Sequence, residues 1–534
     1  MDYQKEEFES KNLDHLGIVA GIIDDIGIVE KINEIFLIDS REKINTGEVV
    51  KAIILNGLGF VSKPLYLFSQ FFEDKAIEHL LGKGIKPEEL NDDKLGRVMD
   101  KLYRYGLTKI FLIIALEVVK KYKISTKYSH LDSTSLHLHG EYNNRLDNQE
   151  KELEIISYNP IVITQGYSRD HRPDLKQCIL DLIVSSDGDI PLFFRGGSGN
   201  ESDKAVFGKI LVEYSKQIDF ESIMVADSAL YSENNLKLME NIKWISRVPL
   251  SIKKAKALVK SFFSTELKKS EIKGYSHQEE KVTYGGIEQR WLLVESEDRK
   301  KADLNKLTQK IKSEFLKVGK QITKLASSEF EQSSSAISKI KELESQLKYH
   351  KISGVKIIEK EIKDKKVIYI VGELIENQEL ITENKNSCGR FILATNIWDA
   401  TELSASELLR IYKQQQSSER GFRFIKDPLF FADSLFVKNP ERVETMMMLM
   451  GLCLLVYNLG QRQLRSSLKT EKATVKNQLN KPTERPTLRW IFQCFQGVHI
   501  LITQGIPRIL NLTEERCQIL QFLPDSCQKY YSLA

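Results

Sequence analysis

The chain has 534 residues, 41% of them hydrophobic and 28% charged, with a formal net charge of only +4. That balance fits a soluble globular protein of two to four domains. Six cysteines, at 178, 388, 453, 494, 517 and 527, form no Cys-x-x-Cys pair. This argues against a zinc ribbon or a disulfide scaffold and suits a reducing cytoplasm.

The opening MDYQKEEFESK is acidic and polar, unlike a signal peptide. Residues 1–45 carry 11 acids against 5 bases. Apolar spacing of 3 to 4 over 16–36, 47–60, 65–83, 92–105 and 107–122 predicts a helical domain over 1–125, with Asn91-Asp92-Asp93 capping one helix.

Over 126–250 the pattern changes to short strands with helices. Strands are expected at Leu131–Leu138, Cys178–Val184, Ile190–Phe194, Ile223–Ala226 and Trp244–Val248, with helices near 203–214 and 233–239. Three adjacent strands followed by helix–strand alternation is the order of an RNase H-like sheet, which places functional groups at strand ends.

Residues 251–389 interrupt this pattern with two Lys-rich helical stretches, 301–325 and 334–349, and strand-like runs at 281–284, 290–295 and 366–373. Gly285-Gly286 suits a tight hairpin turn. Over 390–465 the core resumes with a helix at 404–427 and a Met-rich helix at 441–460. The apolar run Met446–Val456 is too short to span a bilayer and reads as a buried core helix. Residues 466–534 form a last helical region, and the 461–490 stretch carries 8 bases against 2 acids. Further basic stretches lie at 251–273 and 299–324. Each alone is an ordinary solvated face; together they suit a phosphate-backbone partner.

Three acids occupy positions that a metal-dependent nuclease would use. Asp132 lies on the first core strand, Asp227 directly follows Ile223–Ala226, and Glu419 lies in the helical run YKQQQSSERGFRFIK. Two strand-end carboxylates and one helix carboxylate can converge across separations of 95 and 192 residues. Such a trio can hold two divalent cations. On a single helix, Tyr412, Gln415, Glu419 and Lys426 would share one polar stripe, the alternative being a solvated face. His137 and His139 alternate away from the face of Asp132.

These residues resemble the DDE transposases of bacterial insertion sequences, in the group with a Tyr-x2-Arg-x3-Glu-x6-Lys signature. Tyr412, Glu419 and Lys426 match it, while Gln415 stands where that group has Arg, with Lys413, Arg420 and Arg423 as nearby substitutes. The likeness runs through DSTSLHLHGEY, GYSRDHRPDLKQ, VADSALYSENNL, FILATN and TLRWIFQCFQG, from about Tyr128 onward.

The resemblance implies an α/β protein with an RNase H-like catalytic core, a β-rich insertion before the Glu, and a helical N-terminal domain that binds terminal repeats. Asp132, Asp227 and Glu419 would be the catalytic metal ligands, for Mg²⁺ with Mn²⁺ as substitute. Tyr412, Lys426, Arg423 and the loop residues Arg169, His171 and Arg172 would contact DNA. The partners implied are double-stranded DNA with terminal inverted repeats and target DNA, bound by a homodimer, with no membrane. Two other readings stay open: a stand-alone RNase H-like endonuclease, and a DNA-binding protein without catalysis.

Overall fold

A computed structural model describes residues 8–38, 41–60, 62–138, 142, 160–167, 172–330, 332–362, 365–427 and 439–533. The chain divides into two compact units, one made of Met1–Trp244 with Ile411–Ala534 and the other of Ile245–Arg410.

The first unit opens with strand β1 (Phe8–Asn12) and helices α1 (Leu16–Ile26) and α2 (Ile28–Phe36). The expected 16–36 helix is split because Gly27 adopts a left-handed φ of 83°, a conformation that costs glycine nothing. Helix α3 (Thr46–Leu58) is buried along nearly its whole length. The expected 65–83 helix is instead a set of short pieces, Leu65–Leu67, Phe68–Phe72 and Ile77–Leu81. Helix α4 (Asp92–Tyr105) starts where its sequence predicts, with the Asn91 side chain accepting from the Lys94 N–H at 3.0 Å. Helix α5 (Leu107–Tyr122) completes the set.

The C-terminal residues close onto these helices. Strand β1 pairs with His499–Thr503, and Asp525–Lys529 packs on α1. The approach is so close that a Cβ on Gly21 would lie 2.4 Å from Cys527 Cα. Buried Lys51 of α3 donates to Asp24 at 2.6 Å and to the Tyr530 hydroxyl at 2.9 Å, tying three segments together.

The sheet of this unit holds β2 (Tyr128–Leu138), β3 (Lys176–Ser185), β4 (Pro191–Ser198) and β5 (Ile223–Ala226), in the order β4-β3-β2-β5. Three strands are antiparallel and β5 joins β2 in parallel, so the sheet is mixed. A parallel strand needs a crossover, and α6 (Asp203–Gln217) supplies it. Helix α7 (Glu233–Leu238) follows β5.

Later in the chain come α8 (Ala405–Lys413), α9 (Gln416–Ile425) and α10 (Pro440–Thr470). Helix α10 is longer than the expected 441–460 and is apolar enough to cross a bilayer, yet it lies buried against α1, α3, α4, α5 and β4. It is therefore the core helix of this unit, fixed to α4 by a two-pronged Arg442–Asp100 pair at 2.8 and 2.9 Å.

The second unit holds an antiparallel arrangement in the order Trp244–Val248, Arg390–Thr395, Ile287–Ser296, Tyr275–Tyr284 and Lys268–Lys269. Gly285 and Gly286 form its hairpin turn with φ of 62° and 81°, as the sequence predicts. Helices Glu297–Ala326 and Ser333–Ser345 and the hairpin His350–Ile362/Lys365–Glu376 follow, around a small core of Ala336, Ile340, Ile352 and Ile370.

Candidate active site

Backbone register brings Asp132 and Asp227 together. In the parallel pair of β2 and β5, Leu131 is opposite Ala226, so each aspartate is the next residue along its strand. Neighbouring strands lie about 4.8 Å apart, so the backbones of the two residues are neighbours at the C-terminal end of β5, between strands and not at an outer edge of the sheet. Both are half-buried. Asp132 Oδ1 accepts from the Ser133 N–H at 2.8 Å, and Asp227 Oδ1 accepts from the Ala229 N–H at 2.8 Å. The second contact forms the turn that ends β5.

Glu419 reaches this region by another route. The single helix expected over 404–427 is two helices, because Gln414 and Gln415 donate backbone hydrogen bonds only three residues back, to Ile411 and Tyr412. Tyr412 therefore ends α8, while Glu419 occupies the first turn of α9 with Arg423 one turn on and Lys426 at its C-cap. The shared stripe survives only for Glu419 and Lys426, seven residues apart on α9.

Gln415, at the N-cap of α9, is not aimed at solvent. Its side-chain N–H donates to the Leu131 carbonyl at 2.8 Å, and its Oε1 lies 3.0 Å from His130 Nδ1. With the amide nitrogen used on Leu131, Oε1 is the acceptor and His130 Nδ1 must carry the proton. His130 is buried, and its Nε2 finds no partner among the described residues. Burial pushes its pKa down to about 4, partly opposed by the Gln415 contact, so the ring is neutral near pH 7. Gln415 thus clips the start of the Glu419 helix to the residue next to Asp132. Arg could donate to Leu131 but could not accept from His130.

Two of the three cations expected to substitute for the missing Arg lie near acids. Arg420 holds Asp189 with bonds of 2.8 and 3.0 Å, and Arg423 lies 3.9 Å from Glu419. Arg172 is paired within its own loop to Asp174 at 2.8 and 2.9 Å. Arg169, His171 and His139 lie outside the described residues. Among the described residues no three acidic, histidine or cysteine groups stand close enough to hold a metal ion. Glu419 is largely exposed and leans along its own helix toward Arg423. The two aspartates offer only oxygen donors, the ligand type that Mg²⁺ selects.

On the opposite face of β2 and β3 lies a buried polar network that sequence reading missed. Asp181, opposite Ser133 in register, accepts from the Ser133 hydroxyl and from Arg195 at 2.7 Å, and Arg195 also donates to Glu201 at 2.8 Å. Burial raises Glu444, in the same electrostatic environment, to about 8. Nothing in the run QCILDLIVS marks Asp181 beyond one acid in an apolar strand. His130 could have been found, since it is two residues before Asp132 and so shares its face.

Residues 129–459 match the family described as a transposase DDE domain. The chain belongs to that family. It is a DDE-type DNA transposase, and the match covers both strand aspartates and the Glu419 helix. Residues 8–116 match a second family, a domain of unknown function. No curated protein matches. Among solved structures, a piggyBac transposase synaptic complex with hairpin DNA is similar over 97% of this chain and 88% of that one, at 9% identity and a TM-score of 0.39.

Proposed function

We propose that this transposase cuts the ends of an insertion sequence and joins them to target DNA, with Asp132, Asp227 and Glu419 as its catalytic carboxylates. The observation that carries this reading is the paired register of Leu131 and Ala226, with the Glu419 helix clipped to the Leu131 carbonyl. Asp132 and Asp227 would hold a divalent cation, Mg²⁺ or Mn²⁺, and Glu419 would complete the set by turning from Arg423 toward the end of β5. When bound, such ions activate the attacking oxygen and stabilise the leaving one at phosphorus. The chain's own residues fix the end of β5, keep His130 neutral and orient the helix.

In this reading the core is RNase H-like, Gln415 occupies the Arg position of the Tyr-Arg-Glu-Lys signature, and Tyr412, Lys426 and Arg423 contact DNA. Residues 1–125 recognise terminal inverted repeats, the enzyme acts as a homodimer on DNA, and it works in the cytoplasm, where its free cysteines stay reduced. The test is a nicking and strand-joining assay on DNA carrying the element's ends. Activity should need Mg²⁺ or Mn²⁺ and vanish on chelation. Full activity after thorough chelation would refute the proposed role of the carboxylates, and nicking without joining would favour a stand-alone endonuclease.

A further inference from the structure

A second feature of the same unit lies beside the Glu419 helix. A cleft of about 1030 Å³ is bounded by α9, the C-terminal half of α10, the turn after β3 and the segment 484–489. Seven of its lining residues are Arg or Lys, against four acids. Three of the acids are already matched: Asp189 by Arg420, Asp187 by Arg462 at 2.8 Å, and Asp427 by Arg489 at 2.7 Å. The fourth, Glu484, is exposed.

Arg465, Arg485 and Lys469 remain in the cleft with no carboxylate paired to them among the described residues. Arg465 is held in place by its Nε, which donates to the Pro486 carbonyl at 2.8 Å, so its outer nitrogens are left for another acceptor. Burial, then repulsion from Arg485, disfavours its charged form. A half-buried guanidinium facing a second one is an unfavourable arrangement that an incoming anion would relieve. Arg423, one turn from Glu419, lines the same cleft, so the basic lining extends along α9 to the residue beside the proposed catalytic acid.

We infer that this cleft binds the phosphodiester backbone of a DNA strand, with Arg465, Arg485 and Lys469 as phosphate contacts that no signature residue marks. The inference rests on the transposase reading above and assigns a further part of its DNA-binding surface. Planar guanidinium forks suit phosphate oxygens, and a row of cations tracks a backbone without reading its sequence.

The test uses the full-length chain and a fluorescent oligonucleotide duplex of arbitrary sequence, with affinity measured against salt. Arg485 is exposed, so Arg485→Gln leaves the packing in place; the double change Arg465→Gln/Arg485→Gln extends it, with thermal melting as the check on folding. Each lost phosphate contact should lower the slope of log affinity against log salt by about 0.9. An unchanged slope in folded R485Q and R465Q/R485Q would overturn the assignment while leaving the functional reading intact. Wild-type protein that binds no DNA at all would overturn both. Thermal stabilisation by inorganic phosphate that disappears in the double variant, with an unchanged slope on DNA, would reassign the cleft to a free anion and reject the strand.

Discussion

The strand acids and the helix acid are held by different kinds of bond. Asp132 and Asp227 are placed by the ladder between β2 and β5, in which each backbone group is fixed by its neighbours. Glu419 sits on a helix that begins after a break, and one glutamine side chain joins that beginning to β2. A carboxylate on a ladder keeps its position when a distant side chain changes. A carboxylate on a clipped helix depends on the clip. The helix acid is therefore positioned through side chains, Gln415 on Leu131 and His130 and Arg420 on Asp189, and the strand acids through backbone.

The comparison is broken most directly at the acids. Asp227→Asn should reduce strand cleavage below detection while leaving the melting temperature nearly unchanged, because the amide can still accept from the Ala229 N–H. Cleavage within a few-fold of wild type by the folded variant would remove Asp227 from the chemistry.

Gln415→Ala should lower cleavage by about 10- to 100-fold, the usual effect of removing a residue that orients a metal ligand. It should also cost about 1–3 kcal/mol of stability, since His130 Nδ1 would be left buried and unpaired. Gln415→Arg should fall between wild type and Gln415→Ala, because only the Leu131 contact can be rebuilt. If the arginine variant matched or exceeded wild type, the clip would not be what positions Glu419, and the family's arginine role would apply here as well.

The smallest effect is on stability against pH, and it separates the two faces of the sheet. Glu444 binds its proton more tightly in the folded chain, where its pKa is near 8, than in the unfolded chain, near 4.5. Its contribution is therefore present below pH 4.5 and lost as pH rises toward 8. His130 is the reverse: its pKa falls from 6.5 to about 4, so stability is lost as pH drops through that interval. Glu444→Gln should flatten the neutral limb of unfolding free energy against pH and leave the acid limb in place. An unchanged neutral limb would show that Glu444 is not buried as a proton-holding group.

Much of the candidate site was legible in the sequence because strands announce themselves locally. The run Ile223–Ala226 ending in Asp227, and the alternation around Asp132, need no distant contact to be read. The Gly285-Gly286 turn and the Asn91 cap were equally legible, since each depends on one or two residues' own conformational preferences. The break between α8 and α9 was not, because helical periodicity continues across Gln414 and Gln415 and neither is a helix breaker.

The amino-acid sequence by itself determined the class of the protein, the strands that carry or precede two of the proposed catalytic acids and the helix segment that carries the third. Tertiary structure alone decided that residue 131 lies opposite 226, that Gln415 turns inward to His130, and that Arg465 and Arg485 share one cleft. The physical reason is range: strand patterning and capping are set within a few residues, whereas register, clips and charge clusters join residues from 20 to almost 300 positions apart.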